Sequence, residues 1–363
     1  MSLPYCIQEI EKVLTSVALP NPKFLASFSI GLLTCQKARF AKIAQSMPGN
    51  AKPESQEMRI RRYLDRPHVL FAPALAALLP VKSPWIIALD RTNWQRGETD
   101  VNLLTLAVVV GKTAVPLLWC ELSHPGNSDT TQRIALIKQF VTLFASHCIR
   151  LITADREFIG EDWLAWLHEQ RLCFLIRIRK NTLLTRPDGR CQEAFRYFEP
   201  RGDNCRNKKV PWDLWGTPVF VGGKRLKAEP TKDGKEDWLI VVSNMPSSDL
   251  LGLYRLRWSI ETLFQSLKGR GFDLERCCTP RIELFLGLLA LGFLWSLRTG
   301  MLLEETNPDK RLKHGRLPQS WFRRGMDYLH RLLVPLAGSP NKSDFERSIL
   351  LLQPGFLPAK ICL

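Results

Sequence analysis

The chain is 363 residues long, 45% hydrophobic and 24% charged, and carries a formal net charge of +16. That is enough length for two or three domains around a substantial core, with the apolar share of a globular protein. A pI near 9.6 points away from a cationic partner and toward a polyanion, nucleic acid first and a membrane surface second, unless the protein is simply basic.

Ten cysteines stand at 6, 35, 120, 148, 173, 191, 205, 277, 278 and 362, none in a C-x-x-C pair. Several lie in apolar runs, and they read as buried thiols of a reducing cytoplasm. The six histidines lack H-x-x-x-H spacing, and no P-loop, Gly-x-Gly-x-x-Gly or Ser/His/Asp set occurs. No signal peptide is expected. The longest apolar run, Leu284 to Trp295, is too short to span a bilayer comfortably and predicts a buried helix.

Residues 1–80 predict a basic helical region. Ile7, Ile10, Leu14 and Val17 repeat at helical spacing, a second helix covers Gln36 to Ala44, and a third covers Ser55 to Leu64 with Arg59, Arg61 and Arg62. A helical DNA-binding domain fits, as does a packing or oligomerisation module.

From 81 to 179 the pattern is that of a sheet with helices. Residues 85–89 form an apolar strand ending at Asp90. Asn102–Val110 and Ala114–Cys120 form a hairpin about Gly111-Lys112. Asp129 with Gln132 predicts a capping box for the next helix. Ile149–Thr153 is a strand closed by Ala154-Asp155-Arg156, Ile159 to Gln170 a helix, and Cys173–Ile178 a fifth strand. This α/β order resembles a ribonuclease-H-like fold.

Residues 180–236 change character. Over 177–236 there are 15 Lys/Arg against 8 Asp/Glu, a surplus of seven. Short β-type runs, Thr217–Val221 and Arg225–Ala228, alternate with Gly and Pro. A β-rich insertion is expected rather than a disordered linker, because Trp212, Trp215, Phe220 and Trp238 call for packing. Residues 237–304 return to the core through the strand at Trp238–Ser243. Residues 305–363 form a helical C-terminal region, with a last helix near Gln319–Val334.

The stretch Tyr254 to Glu275 carries the chemistry. A helix is expected from about 249 to 268, capped by Asp249 and stopped at Gly269 and Gly271. At roughly 100° per residue, with Tyr254 at zero, Arg257 falls near −60°, Glu261 near −20° and Lys268 near −40°. The four share one stripe, opposite an apolar face of Leu253, Leu256, Ile260, Leu263 and Leu267. Asp90 and Asp155 end strands, where open α/β sheets place their sites. With Glu261 they supply the three carboxylates that hard divalent cations need. Two Mg²⁺ ions about 4 Å apart activate an attacking oxygen and stabilise a leaving one. Arg257 and Lys268 cannot ligate a cation and suit phosphates, and Tyr254 suits a phosphate or a base.

The spacing Tyr254-(2)-Arg257-(3)-Glu261-(6)-Lys268, with Asp90 in LDRTNW and Asp155 in TADREF, resembles the YREK signature of the insertion-sequence-four family of DDE transposases. The resemblance runs from about Pro84 to Leu303. It implies a ribonuclease-H-like catalytic core interrupted by a β-rich insertion. It also implies two Mg²⁺ ions, with Mn²⁺ as a substitute, at Asp90, Asp155 and Glu261. The partners implied are double-stranded DNA, as transposon ends and target, and a second copy in a synaptic homodimer, in a prokaryotic cytoplasm with no membrane. The activity implied is cut-and-paste transposition. A metal-dependent nuclease without strand transfer and a non-catalytic transposase-derived repressor are the alternatives. Tyr254, Arg257, Lys268 and Trp238 would contact DNA, Trp238 by stacking where a base is flipped out. The residues alone leave Trp238 open between that role and a core position.

Overall fold

The computed structural model describes residues 3–66, 69–198, 206–207, 209–226, 238–277, 279–313, 315, 317–334 and 342–355. Half of the expected run Arg225–Ala228, the whole of Glu236-Asp237, Cys205, Cys278, Cys362 and the end of the tail lie outside them. Of the described cysteines only Cys6 and Cys277 are the buried thiols expected; Cys35, Cys120, Cys148 and Cys173 are half-buried and Cys191 is exposed, because an apolar run in sequence does not bury every side chain along it.

Five helices come first: α1 (Leu3–Ser16), α2 (Pro22–Cys35), α3 (Phe40–Ser46), α4 (Pro53–Leu64) and α5 (Ala72–Ala77). α2 was not expected from the sequence. Ten consecutive residues of it, Phe24 to Leu33, are buried, so it lacks the one-sided periodicity that marks a surface helix. Its Pro22 stands in the first turn, where the missing N–H is harmless. Gln36, expected to begin a helix, instead ends α2 in a left-handed conformation.

The central sheet has the strand order of a ribonuclease-H-like core. β1 (Trp85–Arg96), β2 (Thr99–Val110) and β3 (Thr113–Glu121) form an antiparallel meander. β4 (Ile149–Ala154) lies parallel to β1 on its other side, and β5 (Phe174–Ile178) parallel to β4. Helices α6 (Thr130–Phe144) and α7 (Glu161–Glu169) make the crossovers. The Asp129–Gln132 capping box is present.

β1 is longer than the sequence suggested. It continues past Asp90 to Arg96, paired residue by residue with β2. Polar residues after Asp90 hid this, because a strand with only one protected face need not be apolar.

The insertion comprises β6 (Leu183–Thr185), β7 (Cys191–Glu193), β8 (Arg206–Asn207), β9 (Trp212–Leu214) and β10 (Thr217–Arg225). β11 (Trp238–Ser243) pairs with β10 on one side and β5 on the other, carrying the sheet on in the order β3-β2-β1-β4-β5-β11-β10-β9-β6-β7. β10 is one strand where two short runs were expected; Gly222 and Gly223 lie in it paired to β11.

The expected helix over 249–268 is broken into α8 (Leu250–Tyr254), a 3-10 turn (Arg255–Arg257) and α9 (Trp258–Leu267). α10 (Ile282–Thr306) is long and apolar enough to cross a membrane by composition, yet 89% of its most apolar window is buried inside the protein. It packs on α2 and on α11 (Trp321–Leu333). Gly300 and Gly325 permit that contact, since a Cβ on either would strike the backbone of the opposite helix. α12 (Lys342–Leu350) follows.

Candidate active site

The sheet register brings the two aspartates together. β1 and β4 pair in parallel up to Leu89↔Ala154. Asp90 follows Leu89 on β1 and Asp155 is the first residue past the end of β4, and neighbouring strands lie about 4.8 Å apart. Each carboxylate accepts from the following backbone N–H: Asp90 Oδ1 from Arg91 at 2.8 Å, Asp155 Oδ1 from Arg156 at 2.7 Å.

The α8–α9 segment lies over this pair. Tyr254 donates its hydroxyl to Asp155 Oδ1 at 3.1 Å. Arg257 donates from Nη1 to Asp90 Oδ2 at 3.3 Å and from Nη2 to Glu261 Oε1. The 3-10 turn makes this possible. At three residues per turn, positions three apart are eclipsed. The Arg257 guanidinium therefore sits above the Tyr254 ring, 5.9 Å from its centroid, and both side chains point down at the carboxylates. Both are buried, whereas the Glu261 side chain is 43% exposed and opens the site to solvent.

Burial and charge shape the ionisation. Burial pushes the Asp90 carboxyl up to about 6; Glu157 and Asp155 add to the rise, and the Arg91 N–H and Arg257 oppose it. Burial, then the charge of Asp155, drives the Tyr254 hydroxyl far above its ordinary range, so it is a donor at any physiological pH. Arg257 loses basicity to burial but regains more from Tyr254, Asp155 and Glu261, and stays charged.

Three further residues, none of them expected to take part, brace the aspartates. Arg91 donates to Asn102 Oδ1 at 3.0 Å and pairs with Glu157 at 3.4 Å. Asn102, buried on β2, donates to the carbonyls of His124 and Gly126, both at 2.9 Å. Arg133, buried on α6, donates to the Glu157 carbonyl and stands over the Phe158 ring. Together they tie the end of β1, the 124–129 loop and the turn after Asp155 into one block. The only hint in the chain was Glu157 itself, two residues past Asp155.

Lys268 and Trp238 stand apart from the three carboxylates. Lys268 donates to the Asn93 carbonyl at 2.9 Å, pairs with Glu275 at 3.3 Å and lies over the Trp94 ring. Trp238 begins β11, is 5% exposed, and lines a pocket of about 190 Å³ with Arg156, Arg177, Arg179, Lys180 and Asn181. Arg177 donates to the Trp238 carbonyl at 3.3 Å. Trp258, directly after Arg257, is 54% exposed.

Among the described residues no three His, Cys, Asp or Glu side chains form a preassembled metal cage. The donor chemistry nevertheless fits a hard divalent cation. The site gathers oxygen ligands only, a buried carboxylate whose charge is under-compensated, and a guanidinium in the place where a cation would neutralise Asp90 and Glu261.

A family model described as a transposase DDE domain matches residues 82–294. No curated protein sequence matches the chain. Among solved structures, a piggyBac transposase synaptic complex with hairpin DNA aligns with a TM-score of 0.45 at 12% identity, over 98% of this chain and 84% of that one. The NurA nuclease from Sulfolobus solfataricus aligns at 0.24 and 10% identity, over 66% of this chain and 93% of that one. At such scores neither likeness bears on activity.

Proposed function

The chain belongs to the transposase DDE domain family, and from that premise we propose that it is a cut-and-paste transposase of the insertion-sequence-four type, its YREK residues being Tyr254, Arg257, Glu261 and Lys268. The observation that carries this reading is the Asp90–Arg257–Glu261 bridge, set beside Asp155 by the Leu89↔Ala154 register.

In this reading Asp90, Asp155 and Glu261 hold Mg²⁺, with Mn²⁺ as a substitute. The bound ions supply activation of the attacking oxygen and stabilisation of the leaving 3′ oxygen. Tyr254 fixes the orientation of Asp155 through its hydroxyl. Arg257, held between Asp90 and Glu261, would offer its guanidinium to a DNA phosphate at the same place. Lys268 holds a phosphate farther along β1. The cationic pocket of Arg156, Arg177, Arg179 and Lys180 receives a flipped nucleotide against Trp238, and exposed Trp258 meets the base stack it leaves.

The helices of 1–80 serve as the DNA-end reader, with Arg61 and Arg62 of α4 exposed. The working assembly is a homodimer in a prokaryotic cytoplasm, synapsing two transposon ends. The test is incubation with Mg²⁺, the DNA flanking the coding region, and a supercoiled target plasmid. Ends cleaved and joined to the plasmid are the expected products. Cleavage without joints identifies a nuclease, and binding without cleavage a repressor.

A further inference from the structure

Past α9 the chain turns back on itself. Asp273 donates its N–H to the Lys268 carbonyl at 2.9 Å. It takes a left-handed conformation, φ 60°, which aspartate tolerates better than most residues. The linker between α2 and α3 lies against this turn, because Ala38 donates its N–H to the Phe272 carbonyl at 2.6 Å.

Three cations from the two segments surround the Asp273 carboxylate. Arg39 Nη2 lies 3.3 Å and Lys37 Nζ 3.7 Å from Oδ2, and Arg276 Nε lies 3.6 Å from Oδ1. All three are longer than the roughly 2.7–2.9 Å of a charge-assisted hydrogen bond. The carboxylate is 13% exposed, whereas the Lys37, Arg39 and Arg276 side chains are 49%, 39% and 69% exposed. The buried Nε of Arg39 finds no acceptor among the described residues. Exposed ion pairs add little stability, so fastening two segments together does not account for three loosely held cations on one carboxylate.

The cluster lies between two elements already read as DNA contacts. Lys268 is on one side, joined through the Asp273 N–H. On the other side Phe40 follows Arg39, and the Arg61 guanidinium of α4 stands over the Phe40 ring, 5.3 Å from its centroid. A DNA backbone passing from Lys268 to α4 crosses all three cations.

We propose that Lys37, Arg39 and Arg276 form a binding site for phosphates of the DNA strand between Lys268 and α4, and that the Asp273 carboxylate stands in for a phosphate in the free protein. The inference rests on the transposase reading given above. A phosphodiester brings an anionic pair of acceptor oxygens to donors that Asp273 leaves under-used. The carboxylate also opposes the incoming phosphates, so it lowers the affinity that the three cations would give without it.

The test uses the full chain and a duplex cut from the DNA flanking the coding region, with affinity measured across a salt series. Asp273→Asn keeps a residue suited to the left-handed turn and should bind about three-fold tighter than the wild type. Lys37→Gln/Arg276→Gln changes two surface side chains and should melt with the wild type. It should bind more weakly, with a log–log salt slope shallower by about 0.9 for each cation removed. Wild-type affinity and slope in that double variant overturn the proposal, and this variant decides alone if Asp273→Asn does not fold. A folded Asp273→Asn that binds DNA no tighter overturns it in favour of a structural clip between the two segments. Loss of binding to phosphatidylserine vesicles in the double variant, with DNA affinity intact, overturns it in favour of a membrane surface. A wild type that neither binds nor cleaves the duplex overturns the transposase reading as well, whereas a wild type that cleaves it beside an unaffected double variant overturns this inference alone.

Discussion

Arg257 Nη1 lies 3.3 Å from Asp90 Oδ2, and the two side chains are only 7% and 14% exposed. The same guanidinium holds Glu261. Removing one member of a buried charge group strands the others and costs about 3–5 kcal/mol. Arg257→Gln should therefore melt well below the wild type in chelator. If the guanidinium stands where a cation's charge belongs, Mg²⁺ should raise the mutant's melting temperature more than the wild type's. Equal increments would show that the two charges do not share one place. Arg257→Lys should behave like Gln, because a point charge cannot span both carboxylates as the planar fork does.

Asp90→Asn, Asp155→Asn and Glu261→Gln should each abolish cleavage while leaving DNA binding largely intact. Metal-bound carboxylates act on the transition state, whereas affinity comes from basic surface. Gel-shift and cleavage assays on the same preparations check this. Near wild-type cleavage by any one variant removes that residue from the site.

Asp90 also gives a pH dependence. In the folded protein it is pushed up to about 6 from the ordinary 3.8, so between those values the folded protein binds the extra proton. Stability from this group is fully present below about pH 4 and lost as pH rises through 6, by at most roughly 3 kcal/mol. In chelator, wild type should lose stability from pH 4 to pH 7, and Asp90→Asn, which lacks the titrating group, should lose less, whatever constant offset comes from stranding Arg257. Denaturant melts at the two pH values decide it; an equal loss in the two proteins would show that Asp90 does not titrate in this range.

Much of this site was legible in the chain, for a physical reason. Asp90 and Asp155 follow apolar runs that can only be buried strands, and the spacing of Tyr254, Arg257 and Glu261 survives any helical reading of that stretch. The bracing of Arg91 by Asn102 and Glu157 was not legible, since it joins residues 11 and 66 positions apart and depends on the β1–β2 register. The extension of β1 past Asp90 was hidden by its polar residues, and α2 by the absence of any polar face. The 3-10 turn at Arg255–Arg257 left no composition signal, although it sets Arg257 over Tyr254.

DNA affinity should fall steeply with salt. A protein of net charge +16 that contacts several phosphates should show a log–log slope of about −0.9 per phosphate neutralised. Filter binding across a salt series measures it, and a flat response would defeat the nucleic-acid reading.

Trp238 and Trp258 separate folding from DNA distortion. Trp238 is 5% exposed and its ring lies 6.4 Å from that of Phe195, whereas Trp258 is 54% exposed. Truncating a buried Trp costs about 3–5 kcal/mol, so Trp238→Ala should melt early whatever else the residue does. Trp258→Ala should melt with the wild type. If each indole meets a base, each loss should also weaken the DNA-bound intermediate by about 1–3 kcal/mol, after first-strand nicking. Trp238→Phe keeps most of the packing and so isolates the DNA effect. DNA with an abasic site at the flipped position should partly rescue both truncations, because there is no base left to unstack. Cleavage intermediates would be resolved at low temperature, where Trp238→Ala is still folded. Normal processing by Trp238→Ala under those conditions, without benefit from the abasic DNA, would make Trp238 purely a core residue. Normal processing by Trp258→Ala would leave its exposed indole without a part in the reaction.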